Sequence, residues 1–296
     1  MPTGAKQKVR TAVILVAGMG TRFLPATKNQ PKEMLPIVDK PVVQYLVEEA
    51  VASGITDIVF VTNRDKTAVR AHFSPNKKLE RFLEARGKPE LTQKILSLHK
   101  QARFHYTYQD NPQGNGDAVS RAKKLVGTEP FALFFADDIM ISEREPAIKQ
   151  LISAHNLLGT SIMGLVRVPR KEVYRYGVVK SKKVGERIYS VKDVVEKPHP
   201  DKAPSNFASV GRFVLTNDVF ERIKQAKPRN GEIYLADALA ALAREGQVHG
   251  VEMDGTWYDC GSKIGFWRAN FEFGLAHDEI GQEARGYLHN FRNKTK

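Results

Sequence analysis

Apolar positions along the chain fall into two periods. Val13-Ile14-Leu15-Val16, Ile58-Val59-Phe60-Val61 and Phe131-Ala132-Leu133-Phe134-Phe135 are short apolar runs bounded by polar or small residues. Runs of this length predict strands buried in a sheet. Phe104–Tyr108, Ser161–Val168, Ile188–Val195 and Ala208–Leu215 also read as strands. Between them Val42, Val43, Leu46, Val47, Ala50 and Val51 repeat at helical spacing, and Gly54 is placed to end that helix. Further helices are expected over Asp65–His72, Glu145–Leu158 and Tyr234–Glu245, the last mainly as core. The charged stretch Ser74–Gln101 reads as a solvated helical excursion broken near Gly87 and Pro89. Alternation of strands with helices predicts an α/β fold: an open, Rossmann-like mixed sheet, mostly parallel, flanked by helices. One domain over residues 11–280 is expected between a flexible basic tail at 1–10 and a second basic tail at 281–296.

Composition narrows the classes. The chain has 296 residues, 42% hydrophobic and 27% charged, which suits a soluble globular protein. It contains no apolar run of about eighteen residues, so no membrane span is expected. The apolar run after the cationic N-terminus stops at Val16, too short for a signal peptide. Cys260 is the only cysteine, which excludes an intrachain disulfide and a cysteine-based metal cluster. A cytoplasmic location fits these features. Seven of the thirteen net positive charges sit in the two terminal segments. The rest is available to anionic substrates. No zinc-finger spacing or aromatic RNP-like motif supports a nucleic-acid partner.

The chemistry concentrates after the first strand. The run breaks into Ala17-Gly18-Met19-Gly20-Thr21-Arg22. Two glycines let the backbone turn tightly and present N–H groups to anionic oxygens. Arg22 offers a guanidinium suited to paired phosphate oxygens. Pro25, Pro31, Pro36 and Pro41 stiffen the following segment, which carries Lys28, Lys32 and Glu33. A stiff cationic segment beside a glycine loop suggests a polyphosphate site. The glycine pair alone also fits an ordinary tight turn. Position 23 is Phe23, so the Rossmann G-x-G-x-x-G is incomplete, and no Gly-Lys-Ser/Thr closes a P-loop. Gln109, at a strand end, carries both a donor and an acceptor for a base edge. Gly114 and Gly116 allow a base or ribose close to backbone, while Asp117 is a candidate helix cap. Asp137 and Asp138 follow a strand, where open α/β sheets bind ligands, and carboxylates suit Mg²⁺.

The stretch from Val13 to Pro41 resembles, over nearly thirty residues, the signature of the sugar-nucleotide pyrophosphorylases. Within that family it is most similar to the bacterial UTP–glucose-1-phosphate uridylyltransferase branch. Val194-Val195-Glu196-Lys197-Pro198, Val210-Gly211-Arg212-Phe213 and Tyr258-Asp259-Cys260-Gly261 follow in the family's order. The likeness runs from about Arg10 to about Leu275 and implies the nucleotidyltransferase, glycosyltransferase-A-like fold. It implies catalysis by Arg22 and Lys32, and nucleotide contacts from Ala17, Gly18, Gly20, Glu33, Gln109, Gly114 and Gly116. It implies sugar-phosphate contacts from Gly177, Glu196, Lys197, Val210 and Gly211, the last two by backbone. Gly177 also fits a strand glycine at a bulge. The metal ligands by this register are Asp137 and Asp259, for Mg²⁺, with Asp138 second choice.

The implied reaction joins UTP and glucose 1-phosphate into UDP-glucose and pyrophosphate. The same chemistry with dTTP, or a non-catalytic sugar-nucleotide sensor, stands as the alternative. Members of the family form dimers and tetramers. Departures from the family pattern are Asp117 for histidine, Ala136 for proline, Ser262 for asparagine, and Tyr234 and Ala236 in place of two common family residues.

Overall fold

The computed structural model describes residues 8–294. Its strands are β1 (Thr11–Leu15), β2 (Pro36–Ile37), β3 (Lys40–Pro41), β4 (Asp57–Thr62), β5 (Arg103–Tyr108), β6 (Phe131–Phe135) and β7 (Asp138–Ile141). They continue as β8 (Ser161–Arg167), β9 (Gly177–Lys183), β10 (Ile188–Glu196), β11 (Phe207–Leu215), β12 (Val248–Glu252) and β13 (Thr256–Asp259). The helices are α1 (Val42–Ala52), α2 (Thr67–His72), α3 (Lys77–Ala85), α4 (Glu90–Gln101), α5 (Gly114–Arg121) and α6 (Lys123–Val126). After them come α7 (Ala147–Leu158), α8 (Asp218–Gln225), α9 (Leu235–Arg244), α10 (Lys263–Ala276) and α11 (Gly281–Lys294).

Nine strands form one sheet in the order β5-β4-β1-β6-β11-β8-β12-β10-β9. Alternate residues of β1 point to opposite faces and both sets are buried, as parallel strands covered on two sides require. Ala12 and Ile14 pack with Val43, Leu46 and Val47 of α1 and Ile148 and Leu151 of α7. Val13 packs on the other face with Val119 of α5, Val219 and Phe220 of α8, and Leu239 of α9. The molecule is therefore a sheet between two helical layers.

The sheet is mixed, as expected, but its pairings are not mostly parallel. Pairs β5–β4, β4–β1, β1–β6 and β12–β8 are parallel. Pairs β6–β11, β11–β8, β12–β10 and β10–β9 are antiparallel. Only β11 and β10 run against the rest, but each is interior and all its neighbours are therefore antiparallel, β11 also meeting β9 at Ala208 and Val178. Strand periodicity reports burial and carries no direction, which is why the sequence reading missed this.

The described residues near each end are tied to the rest of the chain. Residues 1–7 of the expected N-terminal tail lie outside the described residues. Val9 is buried, and the Arg10 carbonyl accepts from the Thr56 and Asp57 N–H groups at 3.0 and 3.1 Å. The expected C-terminal tail is helical as α11 from Gly281 to Lys294. Its Arg285 donates to the Leu275 carbonyl at the end of α10.

Candidate active site

Parallel pairing sets the site. Leu15 of β1 lies opposite Phe135 of β6, so both strands release their chains at the same sheet edge. The glycine loop leaves one and Asp137 leaves the other. Antiparallel β11 places Arg212 opposite Phe134, which brings Gly211 to that edge too. Gly211 donates its N–H to Asp138 Oδ2 at 3.1 Å, and a Cβ there would collide with that oxygen and with Phe135.

The ribbon β7–β13 supplies the last carboxylate, because its register sets Asp259 opposite Asp138. The residues that begin and end this ribbon are far apart in sequence, and neither segment carries a local signal for the pairing.

Around this edge lies a cavity of about 670 Å³. Of the residues expected at the site, Arg22, Asp137, Gly177, Glu196, Lys197, Gly211 and Asp259 line it, with Asp138 beside them. Val210 turns its side chain into the core, which leaves only its backbone to face a ligand.

The carboxylates are held by cations. Lys32 Nζ stands 2.5 Å from Asp137 Oδ2. Burial pushes the Lys32 ammonium down, but Asp137 outweighs it and the pKa is raised overall. Burial pushes Asp137 up, and the charge and hydrogen bond of Lys32 more than offset that, leaving it lowered. Asp259 pairs with Arg175 and accepts from the Tyr176 hydroxyl at 3.2 Å. Asp138 accepts from Trp257 Nε1 at 2.6 Å. Burial, then the charges of Asp137 and Asp259, push Asp138 up to about 7.

The sequence reading did not single out Arg175, Tyr176 or Trp257 as site residues. The available signal was the Tyr-Arg-Tyr run next to Gly177.

The residues fit a hard cation. A Cβ on Gly261 would stand 2.6 Å from Asp137 Oδ2 and 3.1 Å from Asp259 Oδ1. Bare backbone at Gly261 thus leaves a gap of ionic dimensions between two carboxylates, the donors Mg²⁺ prefers. Among the described residues no group of three or more His, Cys, Asp or Glu is set to hold a metal. An ion here would therefore complete its shell with water or phosphate oxygens. Cys260 is buried, and burial first, then Asp138, push its thiol pKa up, which disfavours the thiolate.

On one side, Glu196 of β10 lies opposite Gly177 of β9. A Cβ on Gly177 would meet Glu196 Oε2 at 3.4 Å. Lys197 occupies the left-handed region, φ +47°, and its N–H is held by the Tyr176 carbonyl at 3.0 Å. A non-glycine residue before proline in that region stores strain, which is found where a side chain must be aimed.

On the other side lies the glycine loop, with Ala17 buried and Gly18 exposed. Gly20 has φ +66°, and a Cβ would stand 3.1 Å from Lys32 Cβ. Lys66, missed in the sequence, ties this loop to Glu33. Its Nζ donates to the Val16 carbonyl (2.8 Å), the Gly18 carbonyl (2.5 Å) and Glu33 Oε1 (3.1 Å). Glu33 is buried and its Oε2 meets no partner. Burial, only partly countered by Lys66, raises its pKa.

Gln109 follows β5 at the same edge, its N–H on the Thr62 carbonyl at 2.8 Å. Gly114 and Gly116 lie against the Ile233 backbone, on the side where a Cβ would stand. Asp117 is in the first turn of α5 and does not cap it; the N-cap is Gln113.

An α/β sheet that gathers a glycine loop, paired carboxylates and several cations at one edge defines a phosphate-handling protein, and the chain belongs to the nucleotidyl transferase family, whose model matches residues 11–274. It is 42% identical over 98% of its length to the UTP–glucose-1-phosphate uridylyltransferase YngB of Bacillus subtilis, of which it covers 98%. It is also similar to the solved UTP-bound UGPase from Acinetobacter baumannii, with 34% identity and TM-score 0.88, covering 95% of this chain and 98% of that one. A solved UDP-glucose pyrophosphorylase complexed with UDP-glucose matches with 38% identity and TM-score 0.82, over 90% of this chain and 98% of its own.

Proposed function

We propose that the chain transfers the uridylyl group of UTP to glucose 1-phosphate, making UDP-glucose and pyrophosphate. The observation that carries this is the cavity itself. Asp137 and Asp259 face each other across Gly261, with Arg22 and Lys197 lining the same cavity. The chain around it is 42% identical to a relative named for this reaction.

In the reaction a phosphate oxygen of the sugar phosphate attacks the α-phosphorus in line. The new P–O bond forms as the bond to the β-phosphate breaks. The nucleophile is already an anion, so no general base is needed. The task left to the protein is positioning and charge neutralisation. Lys32 faces the α-phosphate, Arg22 the departing pyrophosphate and Lys197 the sugar phosphate. Glu196 accepts from sugar hydroxyls, and the Gly18 and Gly20 loop offers N–H groups to phosphate oxygens. Asp137 and Asp259 would hold Mg²⁺, which would supply Lewis-acid charge to the reacting phosphates.

The proposed nucleotide substrate fits a cytoplasmic location. A homodimer or homotetramer is the expected assembly, for which Trp267 and Phe271, stacked and exposed on α10, supply an apolar face.

The test is pyrophosphate release by the purified chain with Mg²⁺, crossing UTP, dTTP, CTP, GTP and ATP with several sugar 1-phosphates. Preference for UTP with glucose 1-phosphate is expected, with at least a 10²-fold loss in Asp137→Ala and Asp259→Ala. Tight binding of UDP-glucose without turnover of any pair would instead mean a sensor.

A further inference from the structure

We infer that Asp117 is a positioning residue that makes the nucleobase site select a uracil-type ring over cytosine. The inference rests on the uridylyl-transfer reading proposed above, with Gln109 taken to face the base as the family resemblance implies. Asp117 is 7% and Gln109 5% exposed. Asp117 Oδ2 accepts from Gln109 Nε2 at 2.8 Å, and the Gly114 carbonyl accepts from the same nitrogen at 2.9 Å. A carboxylate and a carbonyl have no proton to give. Only the NH₂ end of the Gln109 amide can therefore face them. This turns Gln109 Oε1 the other way, where no donor among the described residues meets it. Arg121 holds the carboxylate in place, with Nη2 to Oδ1 at 2.9 Å.

The consequence is chemical. N3 of uracil or thymine carries a hydrogen, whereas N3 of cytosine is a bare acceptor. An amide locked with its oxygen outward bonds the first and repels the second. A site built to bond an N–H rejects an analogue that lacks it by up to about 10⁴–10⁵-fold, far more than shape alone achieves. The lock does not separate uracil from thymine, which share the N3 hydrogen.

The test is calorimetric binding of UDP-glucose and CDP-glucose to the full chain, read as the ratio of the two affinities. Asp117→Asn keeps the shape, but Arg121 Nη2 draws its oxygen and leaves its NH₂ facing Gln109 Nε2, so the Gln109 amide is pushed to turn against the Gly114 carbonyl alone. The ratio is expected to fall at least ~10-fold. Asp117→Ala removes one acceptor but leaves the Gly114 carbonyl, so a smaller fall is expected. A merely structural role reverses that order, because alanine leaves a void and asparagine does not. Arg121→Met, changed at a half-exposed side chain, loosens the same carboxylate and is expected to lower the ratio without threatening the fold.

An unchanged ratio in both Asp117→Asn and Arg121→Met overturns the inference, as does a larger fall in the alanine variant. Failure of the unaltered chain to bind UDP-glucose at all would sink the proposed function itself.

Discussion

Lys32 joins three parts of the site through one side chain. Its stem lies under Gly20, 3.1 Å from where a Cβ would be, and its ammonium ends on Asp137 at 2.5 Å. Asp137 keeps that ammonium charged despite burial. A fixed positive charge is worth most where negative charge develops in a site shielded from water. Lys32→Met is therefore expected to lower kcat by about 10²–10³. Steady-state pyrophosphate release checks this, and a loss under tenfold would remove Lys32 from the chemistry. Lys32, like Arg22 and Asp137, was legible because it stands inside a contiguous motif. Lys66 was not, since its partners Val16 and Gly18 lie about fifty positions away and its own neighbourhood looks like an ordinary loop. Arg175 and Trp257 were missed for the same reason. Their roles depend on Asp259 and Asp138, which only the folded chain brings to them.

At the scale of elements, the apolar period revealed strands and helices, and the order of motifs revealed which edge carries the chemistry. Pairing partners and directions were beyond it. The β7–β13 ribbon joins distant segments, and nothing in Val248–Glu252 announces that β12 pairs in parallel with β8 and antiparallel with β10. That position gives β12 a pH signature. His249 bonds Thr160 at 2.9 Å, and burial, helped by the Lys192 charge, lowers its pKa. A histidine lowered on folding binds fewer protons in the native state than in the unfolded chain. Its contribution is intact above the ordinary value of about 6.5 and is lost as the pH falls toward the lowered one. His249→Gln removes that dependence. Melting temperatures at pH 7.5 and pH 5 should therefore show the variant gaining on the unaltered chain under acid. A constant difference between the two would mean that His249 does not titrate between those pH values.

For the whole molecule, the decisive place is the seam where β6 meets antiparallel β11. The glycine-loop side of the sheet lies on one flank, and the strands carrying Gly177 and Glu196 lie on the other. Arg212 sits at this seam with 1% of its surface exposed. Its guanidinium bonds both Glu49 oxygens, the Gly211 carbonyl and the Asp138 carbonyl, and lies over the Phe134 ring. Glu49 in turn accepts from the Ile148 N–H at the start of α7 at 2.8 Å. One buried pair thus connects α1, α7, β11 and the turn that carries Asp137. Replacing such a pair by well-packed neutral groups costs little, whereas removing one partner strands a charge. Arg212→Met should therefore cost about 3–5 kcal/mol in urea unfolding. Adding Glu49→Gln, which keeps an acceptor for Ile148, should recover much of that loss. If the double variant is no more stable than the single, the cost lies in packing around Phe134 and the loosened Asp138 turn, not in the stranded carboxylate.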